Sequence, residues 1–152
     1  EDAQAAGLGQ LFDQVALSCM LGNGDAHLKN FGLLYGDPTT GDARLAPVYD
    51  IVCTTAYLPE DSLALTLGGT KSLFAARANL EAFGTSLGLA DTAVRFDRLI
   101  TAAQTVLAEH SDLLGFFPAI ATALHASVES FAKCVEARVQ LLGDDDPSVR
   151  LG

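Results

Sequence analysis

The sequence predicts a mainly α-helical fold: a helical bundle with one small β-hairpin that carries the polar motifs. Three observations lead there. Apolar residues recur with a 3.6-residue period in three long stretches, only residues 31–48 and 63–67 read as strand, and 49% hydrophobic content over 152 residues suits one core. No heptad run, internal repeat or low-complexity linker asks for a second domain, so residues 1–152 read as one unit.

Taken in order, Leu8, Leu11, Phe12, Val15, Cys19 and Met20 form the stripe of an amphipathic helix that should end near Gly22. Gly7-Leu8-Gly9 lacks the third glycine of a GxGxxG loop and reads as part of that helix's start. Phe31–Tyr35 and Arg44–Val48 flank a turn-rich connector, Gly36-Asp37-Pro38-Thr39-Thr40-Gly41-Asp42, and read as a hairpin. Residues just before one strand and just after its antiparallel partner lie close together, so the open end should unite Asn30 with Asp50.

The segment from Ile51 to Thr70 comes next, with Leu63, Leu65 and Leu67 alternating as a short strand and with glycines that suggest mobility. Gly68-Gly69-Thr70-Lys71-Ser72 superficially matches the end of a phosphate-cradling P-loop. Thr70 separates glycine from lysine and position 64 is Ala, so a glycine turn is the better reading. Asn79 is placed as the N-cap of a short helix ending at Gly88. Phe96, Leu99, Ile100, Ala103 and Leu107 predict a longer helix. Ile120, Leu124, Val128, Phe131, Val135, Val139 and Leu142 predict a third, with Pro118 near its first turn and Gly143 past its end.

Composition narrows the classes of function. Nineteen acidic against nine basic residues give a net charge of −10, which argues against direct contact with a nucleic-acid backbone. Asp144-Asp145-Asp146 reads as a frayed tail. Cys19, Cys53 and Cys134 are odd in number and form no CxxC pair, so neither a disulfide framework nor a zinc site is indicated and a reducing, cytoplasmic setting fits. Cys19 and Cys134 read as core; Cys53, near Asp50, reads as packing, with a reactive thiol the lesser alternative. No signal-like start and no apolar run of about 18 residues is present, so no membrane partner is expected. His110 and His125 have no metal-ligand neighbours, and no Ser/His/Asp triad or Gly-x-Ser-x-Gly elbow occurs.

The chemistry concentrates in Gly22–Asn30, GNGDAHLKN, and in Tyr49-Asp50 twenty residues on. Asp25, an Asn five positions later and a second Asp are the order in which phosphoryl-transfer enzymes place a base and two magnesium ligands. One carboxylate must face the attacking hydroxyl, while a carboxamide oxygen and a second carboxylate hold Mg²⁺, a hard cation that prefers oxygen. Asp25 is therefore the candidate base, and Asn30 and Asp50 the candidate metal ligands. His27 and Lys29, with Asn30, are the candidate nucleotide-binding residues. For His27 the alternative is packing that holds the loop, and for Lys29 plain solvation. Asn23 is read as capping the loop, and Tyr49 as packing behind Asp50.

These residues resemble the HipA-like serine/threonine kinases, which carry DxHxKN in the catalytic loop and LxPxYD before the activation segment. Asp25, His27, Lys29 and Asn30 fit the first motif, and Leu45, Pro47, Tyr49 and Asp50 the second. The resemblance implies a protein-kinase-like C-terminal lobe that uses ATP and Mg²⁺ to phosphorylate a protein substrate. It also implies the toxin role of a bacterial toxin–antitoxin pair, with a HipB-like DNA-binding antitoxin as partner. Lys29, Lys71 and Lys133 are the only lysines and none lies in a VAIK-like strand, so the sequence reads as the C-terminal lobe without its N-terminal lobe. By itself it is expected to bind Mg-ATP weakly and to transfer little. Two alternatives stand: a small-molecule kinase of the aminoglycoside or choline type, and a non-catalytic lobe that binds a partner.

Overall fold

The computed structural model describes residues 3–37, 39–73 and 76–143, with side chains described for residues 5–37, 39–73 and 76–133. The expected burial of Cys134, Val135, Val139 and Leu142, and the acidic tail at 144–146, lie outside the described side chains. In chain order come α1 (Ala3–Met20), a 3₁₀ turn (Leu28–Asn30), β1 (Leu33–Tyr35), β2 (Ala43–Leu45), a second 3₁₀ turn (Thr54–Ala56), α2 (Ala76–Ser86), α3 (Thr92–Glu109), α4 (Ser111–Leu114) and α5 (Pro118–Gly143). The fold is thus mainly helical with a two-stranded antiparallel hairpin.

The helices enclose one core. Phe12, Met20, Leu80, Phe96, Val128 and Phe131, drawn from α1, α2, α3 and α5, are its centre. The Phe96 ring lies 5.5 Å from Phe12 and meets Phe131 edge-on at 5.6 Å. Burying each such ring stabilises by about 1.5–3 kcal/mol, and each aromatic pair adds roughly 0.5–1.5 kcal/mol. The Arg77 guanidinium, buried on α2, stacks 4.4 Å from the Phe96 ring centre and donates from Nη1 to the Phe131 carbonyl. Its charge therefore meets π density and a carbonyl rather than bare hydrocarbon. Between α1 and α3, Asp13 accepts from Nη1 of Arg95 and Nη2 of Arg98 at 3.0 and 2.7 Å.

Two helix ends are closed by glycine. At the end of α1, Asn23 N–H reaches Ser18 O and Gly22 N–H reaches Cys19 O, with Gly22 at φ +70°. This is a Schellman closure, and glycine is the residue that adopts its left-handed position without a Cβ penalty. Gly22 is also pressed against Thr55, whose Oγ1 would lie 2.4 Å from an added Cβ. The same closure ends α2 at Gly88, through Leu89 N–H to Gly84 O and Gly88 N–H to Thr85 O.

Four expectations need correction. Gly7 to Gly9 lie well inside α1, which begins at Ala3. Helix α2 starts at Ala76, so Asn79 sits in its first turn rather than at its cap, with its side-chain oxygen beside Gly68. The hairpin ladder covers residues 33–35 and 43–45 and gains only the bond from Ala46 N–H to Gly32 O, because the Ala46 carbonyl that would return the bond is taken by Gln14 Nε2. Residues 63–67 form no strand: Leu63 is buried while Leu65 is exposed, and pairing is confined to Leu63 N–H with Lys71 O and to a Leu67–Thr70 bridge. The left-handed Gly68-Gly69 turn folds the chain back there, but the Leu63–Lys71 and Leu67–Thr70 contacts are out of register with one another, so no ladder runs between them.

Candidate active site

The hairpin does for the polar motifs what its topology requires. Asn30, at the end of the first 3₁₀ turn, and Asp50, five residues past β2, meet at its open end. The Asn30 Nδ2 donates to Asp50 Oδ2 at 2.8 Å. The hairpin is anchored from below by α1, where buried Gln14 donates from Nε2 to the Ala46 carbonyl at 2.7 Å, with Gln10 reaching the same oxygen at 3.4 Å. Gln14 is buried although it lies off the apolar stripe of α1, and Gln10 is exposed, so the stripe gave no signal for either as an anchor.

Asp50 is the one non-glycine residue with positive φ among the described residues, at φ 57°. A left-handed aspartate costs on the order of 1–3 kcal/mol and persists only where its surroundings over-determine it. Here they do so on both sides. Asn30 holds the carboxylate, and Asn23 donates from Nδ2 to the Asp50 carbonyl at 3.4 Å.

Asn30 is buried, and its remaining polar atom, Oδ1, has no hydrogen-bond partner among the described residues. A buried carbonyl oxygen without a donor costs roughly 1–3 kcal/mol, so its presence beside a carboxylate calls for a cation or a donor from outside the chain. Two adjacent oxygen ligands suit Mg²⁺, which keeps several waters and completes its shell with phosphate oxygens. Among the described residues no three His, Cys, Asp or Glu side chains cluster as a self-sufficient metal site would need.

Asp25 is exposed, and its carboxylate takes no hydrogen bond from any described residue. Its backbone is held instead: its N–H donates to Asn23 Oδ1 at 3.1 Å, and its carbonyl accepts from His27 N–H at 2.8 Å. A free carboxylate on a fixed backbone is what a base needs in order to meet an incoming hydroxyl. The structure thus joins Asn30 and Asp50 directly and ties Asp25 to Asp50 through Asn23.

His27 is half-buried, with Nδ1 unpartnered among the described residues, and Lys29 is exposed without an ion pair there. Tyr49 does not pack behind Asp50: it is 45% exposed, and its hydroxyl donates to the Lys29 carbonyl, clamping the 3₁₀ turn that carries Asn30. Thr54 was not legible as a site residue. Its Oγ1 accepts from Gly24 N–H at 2.8 Å and donates to Gly22 O at 3.1 Å, stapling the segment after Asp50 to the loop before Asp25. A cavity of about 440 Å³ opens elsewhere, between residues 59–62 and α5, and includes none of Asp25, Asn30 and Asp50. His110 and His125 are exposed, and Cys53 is buried and free.

Comparison with known proteins decides the family. The model of the HipA-like C-terminal domain matches residues 1–111, most of the 152-residue chain, α1 to the start of α4. The chain belongs to the HipA-like C-terminal domain family. The HipA-like domain is 36% identical over 75 residues to "Putative kinase Y4dM" of Sinorhizobium fredii, a match covering 49% of this chain and 18% of that protein. It is 42% identical over 48 residues to "Putative kinase Y4mE" of the same organism, covering 32% of this chain and 11% of the relative. A "Putative kinase" of Haemophilus influenzae is 38% identical over 48 residues, 32% of this chain and 13% of that protein. The matches therefore span less than a fifth of each relative. No solved structure matches the chain at a significant level.

Proposed function

We propose that this HipA-like domain carries the catalytic loop and metal ligands of a serine/threonine protein kinase that transfers the γ-phosphate of ATP to a protein hydroxyl. The observation that supports the reading best is the Asn30–Asp50 pair with its unsatisfied buried Asn30 Oδ1, set five residues beyond an exposed Asp25. Asn30 Oδ1 and the Asp50 carboxylate are the residues that would hold Mg²⁺. Bound there, the ion supplies charge neutralisation for the phosphates.

The chain's own residues do the rest. Asp25 accepts or orients the proton of the attacking hydroxyl, a contribution on the order of 10²–10⁴ in rate. Asn30, gripping Asp50 Oδ2, fixes which carboxylate oxygen remains for the metal. Lys29 stands in solvent, and the buried His27 Nδ1 has no partner among the described residues; both are assigned to the nucleotide phosphates. The wider reading, a toxin restrained by a HipB-like DNA-binding antitoxin and acting in the cytoplasm, rests on the family resemblance. No helix among the described residues is long and apolar enough to cross a membrane.

Exposed apolar side chains occur along these segments, Leu28, Leu33, Tyr35, Tyr57 and Leu58 among them. They offer a surface for the N-terminal lobe that would supply the phosphate cover and strand lysine absent from residues 1–152. Transfer from radiolabelled ATP tests the reading, measured on this chain, on the same chain joined to a HipA-like N-terminal lobe, and on the Asp25→Asn and Asp50→Asn variants of the joined protein. The joined protein should transfer, this chain alone should transfer little, and each substitution should reduce transfer at least 100-fold with the fold intact. Undiminished transfer by either variant overturns the assignment.

A further inference from the structure

We propose that Asn23 is a positioning residue that locks the base loop and the metal loop into one geometry. The inference rests on the proposed kinase function, in which Asp25 is the base and Asp50 the metal carboxylate. Asn23 is 1% exposed, so its carboxamide contacts protein alone. Its two ends face the two halves of the site: Oδ1 accepts the Asp25 N–H at 3.1 Å, and Nδ2 donates to the Asp50 carbonyl at 3.4 Å. This orientation is fixed by chemistry, because a flipped amide would set NH₂ against N–H and oxygen against carbonyl.

The clamp is itself rooted. The Asn23 N–H closes the end of α1 on Ser18 O, so the side chain projects from a rigid helix terminus. Asp50 sits at φ 57°, a conformation that its own chain does not favour. Releasing its carbonyl frees the backbone to leave that region, and the carboxylate then turns away from Asn30 Oδ1. Because the same carboxamide sets the height of the Asp25 backbone, a change at Asn23 disturbs the separation between base and metal ligand, although Asn23 touches neither substrate nor ion. Partners of this kind typically alter metal affinity about 10–100-fold.

The test separates the two ends of the amide. Asn23→Asp keeps an oxygen for the Asp25 N–H and replaces the donor to Asp50 with a repelling carboxylate oxygen. Asn23→Ala loses both. Mn²⁺ alone, titrated into this chain and followed by water-proton relaxation, reports the metal ligands, while hydrogen exchange of the Asp25 amide reports the base loop. Expected are Mn²⁺ affinity about ten-fold weaker in both variants at little-changed melting temperature, and Asp25 protection retained in Asn23→Asp but lost in Asn23→Ala.

Wild-type Mn²⁺ affinity in either variant alongside weakened binding by Asp50→Asn overturns the clamp, as does equal loss of Asp25 protection in both variants. Wild-type affinity in Asp50→Asn instead overturns the metal reading, and the Asp25 amide then judges the remaining half of the clamp by the same two criteria. Should the Asn23 variants fail to fold, the wild-type protein decides. Slow solvent exchange of the Asn23 side-chain NH₂ and a shift of its resonance on adding Mn²⁺ support the proposal; fast exchange or no shift refutes it.

Discussion

The helices and the loops of this domain are held together by different forces. Around Phe12, Phe96 and Phe131, cohesion comes from apolar area and ring packing, with Arg77 stacked on the rings and the Asp13–Arg95–Arg98 cluster joining α1 to α3. Between Gly22 and Thr55 there is little to bury. The hairpin strands are exposed, and order comes from side chains of Gln14, Asn23, Asn30, Tyr49 and Thr54 bonded to backbone or to Asp50. In the first region cohesion is summed over many non-directional contacts, whereas in the second it depends on the distance and angle of a few bonds. A scaffold made by packing thus carries a site made by geometry, and most changes should damage one without the other.

Phe12→Ala should break the packed side most severely. Phe12 is fully buried and touches both Phe83 and Phe96, so about 3–5 kcal/mol of unfolding free energy should disappear in urea denaturation. A loss below about 1 kcal/mol would mean that the core is not organised around it.

Gly22→Ala sharpens the boundary, because this glycine belongs to both regions. A left-handed alanine costs roughly 1–2 kcal/mol, and its Cβ must also displace Thr55, so about 2 kcal/mol of stability should go. The Thr54 staple should loosen with it, seen as faster exchange of the Gly24 amide.

Gln14→Ala removes a bond that crosses from one region to the other. It leaves the Ala46 carbonyl with at most the longer Gln10 contact, and about 1 kcal/mol should be lost. The change in protection should fall on the hairpin amides and spare those of α3.

The smallest effect concerns Cys19. Burial pushes its thiol up to about 12, so at pH 8 almost no thiolate exists in the folded protein. Iodoacetamide should leave Cys19 unlabelled under native conditions and modify it after unfolding, as read by peptide mass mapping. Ready native labelling would show that the packed side opens far more easily than its contacts indicate.

Much of this was legible in sequence because each signal was local. The stripe from Phe96 to Leu107 needs only a 3.6-residue period, and α3 buries Phe96, Ile100 and Leu107 as that period requires. The encounter of Asn30 with Asp50 was legible for a topological reason, since antiparallel strands return their flanks to one place. The strand expected over 63–67 misled because alternation describes one segment and a ladder requires a neighbour.

The sequence by itself determined the four longer helices, the hairpin and the identity of the candidate base and metal ligands, since periodicity, turn chemistry and residue order are properties of the chain alone. Only the tertiary structure decided that Asp50 is left-handed, that Asn30 Oδ1 is buried without a donor, and that Asn23, Gln14 and Thr54 hold the loops. The physical reason is range. A hydrogen bond between residues 27 or 32 positions apart leaves no periodic trace in either segment, and a backbone dihedral is set by what grips the residue from outside.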